Sequence, residues 1–145
     1  MIQGFPALSS PDARCLILGS IPGLASLQAQ EYYAHPRNQF WPVMLHLFEG
    51  QSGWNYQQRC QMLKQRGIAL WDVVYACKRQ GSLDSAIETD SLIINDFTAF
   101  FAQHPLIDTV YFNGGTSANY IKRWVQPGLN QPFTYKQLPS TSPAY

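Results

Sequence analysis

Three short apolar runs constrain this chain most. Residues 13–18 (ARCLIL), 68–74 (IALWDVV) and 109–113 (TVYFN) are each five to seven residues long. Gly19 stops the first, and Gly114-Gly115 follows the third. Runs this short and this continuous suit strands buried on both faces, not amphipathic helices. Helical stretches lie between them. Asn38 is expected as the N-cap of a helix opening at Gln39, with Pro42 in its first turn and Phe40, Trp41, Met44, Leu45 and Phe48 on its apolar face. A second helix fits residues 56–66, with Gly67 as its stop. A third fits residues 96–103, with Asn95 as candidate cap and Pro105 beyond its end. A fourth runs from about Thr116 to Val125. Residues 135–138 read as a last strand. The alternation predicts an α/β fold: about four parallel strands, right-handed connections, helices on both faces. Such sheets bind ligands outside the carboxyl ends of their strands. Residues 19–23, 71–74, 113–115 and 139–143 would all lie at that edge.

Composition narrows the function classes. The chain is 46% hydrophobic, enough for a core and too much for intrinsic disorder. Its 145 residues fit a single domain over 1–145, with residues 1–12 as a lead-in. Charged residues are 13%, about half the usual ~25%. Ten Lys and Arg against nine Asp and Glu exclude a polybasic binder. Three cysteines, Cys15, Cys60 and Cys77, are far apart and form no CxxC pair, so no metal centre is expected. No secretory signal or membrane span is legible, and a reducing cytoplasm is the expected compartment.

Three edge loops carry the candidate chemistry. Gly19, Ser20, Ile21, Pro22 and Gly23 follow a strand directly, and two glycines around a proline let backbone approach a ligand. They match neither a phosphate-binding P-loop nor a dinucleotide fingerprint. Residues 32–41 (YYAHPRNQFW) pack aromatics, a histidine, an arginine and an asparagine together. A loop aromatic such as Tyr33 can stack on a nucleobase. Arg37 can hold a phosphate, and Asn38 can both donate and accept, so it can orient a water. His35, before a proline, reads as a structural hydrogen-bonding histidine rather than a general base. Pro139, Ser140, Thr141 and Ser142 form a stiff, small-residue loop whose hydroxyls and backbone N–H groups suit phosphates. Asp72 reads as a structural or capping carboxylate at the mouth. Asn113 ends a strand at the same edge and can reach the pocket, though a turn residue is the stronger reading.

GSIPG followed by SLQAQEYYAHPRNQFW resembles the first motif of the uracil-DNA glycosylase superfamily. The similarity is greatest to its mismatch-specific and hypoxanthine branches. LPSTSP stands where that superfamily has its second motif. LWDV at residues 70–73 and GSLDSAI at residues 81–87 resemble the hypoxanthine branch in particular. The resemblance implies a three-layer α/β/α sandwich on a four-stranded parallel sheet. It also implies a monofunctional DNA glycosylase of base-excision repair, acting on DNA with a deaminated or mismatched base, without metal or cofactor. Two positions depart from the superfamily pattern. Ile21 stands where the mismatch-specific branch has a catalytic Asn, and Leu138 where the second motif often begins with His or Asn. The hypoxanthine branch shares the apolar first loop, which makes Asn38 the implied catalytic residue. The resemblance further implies that Tyr33 stacks on the extruded base and that 19–23 and His35 surround it. Arg37 and residues 139–142 would hold the DNA backbone. Superfamily members continue with a helix after the second motif, which this chain, stopping at Tyr145, is expected to lack.

Hypoxanthine in deoxyinosine is the expected substrate, and a monomer the expected state. Two alternatives remain open at this point: a glycosylase for uracil or thymine opposite guanine, and a non-catalytic nucleic-acid or nucleotide binder that keeps the fold.

Overall fold

The computed structural model describes residues 1–143. Strand β2 (Cys15–Gly19) shows how the sandwich is built. Successive side chains of a strand point to opposite faces. Leu16 and Leu18 accordingly join one core cluster, while Ile17 and Cys15 belong to another. The same alternation continues in β3 (Ile68–Asp72) and β6 (Thr109–Asn113). Ala69, Val110 and Phe112 share the first face; Ile68, Leu70 and Tyr111 share the second. With β7 (Thr134–Leu138) these strands form a parallel sheet in the order β3-β2-β6-β7.

The helices divide between the two faces. Helices α2 (Phe40–Leu47) and α3 (Tyr56–Gln65) bury Phe40, Trp41, Cys60, Met62 and Leu63 on one side. Helix α4 (Phe97–Gln103) and the segment after α5 (Gly115–Tyr120) bury Phe97, Phe100, Phe101, Ile121 and Val125 on the other. The order explains the division. From β2 the chain moves to β3 on one side, then returns past β2 to β6 and β7. Right-handed crossovers running in opposite directions put their helices on opposite faces. The reversal leaves a crevice between the carboxyl ends of β2 and β6.

Several boundaries differ from the sequence expectations. Gln39, not Asn38, precedes α2; the Asn38 side chain instead accepts the Phe40 N–H at 2.9 Å. Pro42 does sit in the first turn, where its missing N–H costs nothing. Asn55 and Gln58 make a reciprocal capping box at α3. Asp96, not Asn95, caps α4 by accepting the Ala99 N–H; Asn95 donates to the carbonyl of Asp72. Residues 19–37 contain a short helix, α1 (Leu24–Ala29). The run at 68–74 is two strands, because the chain leaves the main sheet after Asp72. Its continuation β4 (Val74–Cys77) pairs antiparallel with β1 (Ile2–Gln3) and β5 (Ile93–Ile94). The lead-in is therefore partly structured, and Leu8 also bridges to Leu70. Helix α5 ends in a π-helical turn, Ile121–Val125. Among the described residues no helix is long and apolar enough to cross a membrane.

Candidate active site

The loops at the carboxyl ends of β2, β3 and β6 enclose a cleft of about 330 Å³. That is near the lower bound for small-molecule pockets and suits one nucleobase better than a dinucleotide. Gly19, Ser20, Ile21, Pro22, Gly23, Tyr33, His35, Arg37, Asn38, Ser140, Thr141 and Ser142 all line it. Pro139 is exposed and lies outside the lining, beside its three neighbours that are part of it. The strand β7 still runs through Leu138, so the chain turns toward the cleft only at Ser140.

The first loop is held from behind. The carbonyls of Gly19 and Ser20 accept the N–H groups of Val73 and Val74. The buried Arg79 guanidinium donates to the carbonyls of Pro22 and Gly81 at 2.8 and 2.7 Å. It thereby ties this loop to residues 81–84 on the opposite rim. There Ser20 donates its hydroxyl to Asp84 at 2.6 Å, and Ser82 accepts the Leu24 N–H. Ile21 lines the cleft, but its side chain is buried in an apolar cluster with Val74, Cys77 and Ile87. An amide there would be surrounded by hydrocarbon.

The aromatic segment is anchored through Tyr32. Its N–H donates to the Tyr56 hydroxyl, its hydroxyl to the Pro6 carbonyl, and its carbonyl accepts the Trp41 indole N–H. Tyr33 then takes a left-handed backbone conformation (φ 57°) and stacks on Phe40 with ring centroids 4.1 Å apart. One face of its ring is thus already occupied. Its hydroxyl is buried with no hydrogen bond of good geometry, and burial, then the Asp72 carboxylate, hold it protonated well above the ordinary phenol range against a smaller pull from the Asn113 side chain. His35 Nδ1 accepts the Arg37 N–H, and its carbonyl accepts the Asn38 N–H. This tight turn puts the proton of neutral His35 on Nε2. Arg37 is exposed at the rim. Asn38 is half-buried, its amide aligned by the bond to Phe40.

Two groups read from the sequence as structural turn out to shape the cleft. Asn113 donates to the Thr141 hydroxyl at 3.0 Å and accepts the Thr141 N–H at 2.9 Å. The Thr141 carbonyl accepts the Gln39 N–H, so the two motif loops are fastened to each other. Ser142 N–H donates to the Ser140 hydroxyl. The backbone donors of Thr141 and Ser142 are therefore spent inside the protein.

Asp72 closes β3 at the cleft floor. It is only 4% exposed, and its Oδ2 has no hydrogen-bond partner. Burial, and then the nearby Asp84 carboxylate, push its pKa up to about 7, against a smaller opposing pull from Arg79. Gly19 makes room for it. A Cβ there would stand 2.6 Å from Asp72 Oδ1 and 3.2 Å from the Tyr33 hydroxyl. An acidic residue ending an apolar strand at the ligand edge was the one sequence signal for this group. No local signal marked Arg79 or Ser82.

A doubly wound parallel sheet with a base-sized, partly aromatic cleft at its point of reversal defines an α/β protein of the class whose ligand sites lie outside the strand ends. Its relatives give that class a name. The family model described as the uracil DNA glycosylase superfamily matches residues 6–145, and the chain belongs to that superfamily. A hypoxanthine DNA glycosylase of Methanosarcina barkeri is 40% identical over 119 residues, covering 81% of this chain and 74% of that protein. A hypoxanthine DNA glycosylase of Methanosarcina acetivorans is 36% identical over 144 residues, covering 98% and 87%. A solution NMR structure of a candidate uracil DNA glycosylase from Methanosarcina acetivorans superposes with a TM-score of 0.81 at 35% identity. That match covers 98% of this chain and 85% of the other.

Proposed function

We propose that this protein is a monofunctional DNA glycosylase that hydrolyses the N-glycosidic bond of a deaminated base, with hypoxanthine in deoxyinosine as its main substrate. The observation that carries the reading is the fastening of the HPRN segment to the second-motif loop around one base-sized cleft. The two relatives named hypoxanthine DNA glycosylases point to the base. The base leaves the duplex at a cost of a few kcal/mol, less for a poorly paired base such as inosine. Stacking on the free face of Tyr33 returns about 1–3 kcal/mol. As the glycosidic bond breaks, positive charge builds on the sugar. Asn38, its amide fixed at the start of α2, holds the attacking water. An amide is a poor base, so its part is positioning. Arg37 and the hydroxyls of Ser140 and Thr141 hold the backbone. The enzyme acts as a monomer in the cytoplasm, at the nucleoid.

The test is base release from duplexes carrying deoxyinosine, deoxyxanthosine or deoxyuridine. Deoxyinosine is expected to be cleaved fastest. Asn38→Ala is expected to slow it by roughly 10²-fold or more while DNA binding persists. Unchanged release by Asn38→Ala would remove Asn38 from the reaction. A preference for uracil opposite guanine would replace the substrate. Binding without release from any duplex would leave only the non-catalytic binder.

A further inference from the structure

Three buried polar atoms around the first loop have no partner: Tyr33 hydroxyl, Asp72 Oδ2 and Arg79 Nη1. An unpartnered buried polar group costs about 1–3 kcal/mol, so each invites a use. Asp72 and Tyr33 converge on the space that Gly19 leaves open, at the floor of the cleft. Cleaving a purine from its sugar sends the bonding electrons into the base, and a proton delivered to the base makes it a better leaving group. The proton donors at the cleft are few. Asn38 has an amide and no acid. Asp84 is turned to accept the Ser20 hydroxyl. His35 Nδ1 accepts the Arg37 N–H, so the ring keeps a single proton on Nε2, which makes it a hydrogen-bond donor rather than an acid. Tyr33 keeps its proton too tightly to transfer it.

We infer that Asp72, in its protonated form, is the general acid that delivers a proton to N7 of the departing purine. This rests on the glycosylase reading above and adds a second catalytic residue to it. The C1′–N9 bond breaks, its electron pair passes into the purine ring, and the Asp72 proton moves to N7, leaving a carboxylate. The water held by Asn38 adds to C1′, and the proton it sheds restores the Asp72 carboxyl through solvent. Water is consumed, and neutral base and abasic sugar are released. The surroundings supply the acid form. Apolar burial and Asp84 favour the neutral carboxyl, Arg79 opposes them, and Tyr32 and Tyr33 present neutral hydroxyls from the aromatic segment. The balance places the titration at about 7.

The experiment compares single-turnover release from deoxyinosine and from 7-deaza-deoxyinosine, which has no N7 to protonate, by the wild type and by Asp72→Asn. The wild-type rate on deoxyinosine is expected to fall about tenfold per pH unit above the titration of Asp72, and to be lower by at least about 10²-fold on the 7-deaza substrate. Asp72→Asn is expected to lose about 10²-fold or more on deoxyinosine, to lose the alkaline fall, and to gain no further defect on the 7-deaza substrate. An equal drop on both substrates, or an alkaline fall that survives the substitution, overturns the inference and leaves the glycosylase reading standing. A wild type that releases no base from any deaminated duplex overturns both. The carboxyl carbon of Asp72, followed by NMR in the unliganded wild type, gives a readout that needs no variant. Titration near neutrality supports the assignment, and titration in the ordinary carboxylate range overturns it.

Discussion

At Asp72 protonation is linked to folding as well as to chemistry. In the unfolded chain this carboxyl titrates near 3.8, whereas in the fold burial raises it to about 7. Below the lower value both states hold the proton. Between the two values only the folded state holds it, so stability declines as pH rises, and above the upper value the loss is complete. Asp72→Asn is therefore expected to melt above the wild type at about pH 8, by up to a few kcal/mol, with the difference vanishing toward about pH 4. A variant equally or less stable at alkaline pH would show that the carboxylate is not a buried burden. Gly19 belongs to the same account. Gly19→Ala would press a methyl group into Asp72 and Tyr33, and a loss of about 1–3 kcal/mol in denaturant unfolding is expected, with slower base release. The sequence showed a glycine in a plausible loop. Only the packed site shows which atoms that glycine must admit.

At the scale of elements, legibility followed locality. Helix α3 could be read because its helical stretch and its Gly67 stop lie within a dozen residues of chain; the capping box of Asn55 and Gln58 is just as local but was not singled out. Strand β4 could not, because its partners are residues 2–3 and 93–94, and a change of sheet leaves no local mark on an apolar run. For Asn113 the edge position was legible but the turn reading was favoured over the pocket, since its partner Thr141 lies 28 positions away. Asn113→Ala should remove both clamp bonds, costing about 1–2 kcal/mol, and weaken binding of deoxyinosine DNA more than it slows the bound complex. Comparing KM with kcat checks this. Asn55→Ala, which removes the α3 cap outside the cleft lining, should cost about 1 kcal/mol in thermal unfolding with excision unchanged.

For the whole molecule the distribution of charge matters more than its sum. Lys122, Arg123 and Lys136 are exposed, but none lines the cleft, and the Arg123 guanidinium lies over the Trp124 ring. Among the described residues Arg37 is the one Lys or Arg at the cleft wall. Few phosphates can be neutralised, so affinity for DNA should fall by less than about 10³-fold between about 50 and 200 mM salt. A steeper fall in a salt titration would reveal a larger basic surface. The amino-acid sequence by itself determined the alternation of strands and helices, the sheet edge at which the cleft opens, and the two motif loops. Each of these is written in periodicity or in short contiguous segments. The tertiary structure alone decided that β3 ends in a buried carboxyl whose Oδ2 has no hydrogen-bond partner. It also decided that Ser20 reaches Asp84 across 64 residues and that Thr141 and Ser142 spend their backbone donors on the protein itself. Burial and long-range hydrogen bonding are properties of what packs against a residue, and propensity and spacing along a chain do not specify that neighbour.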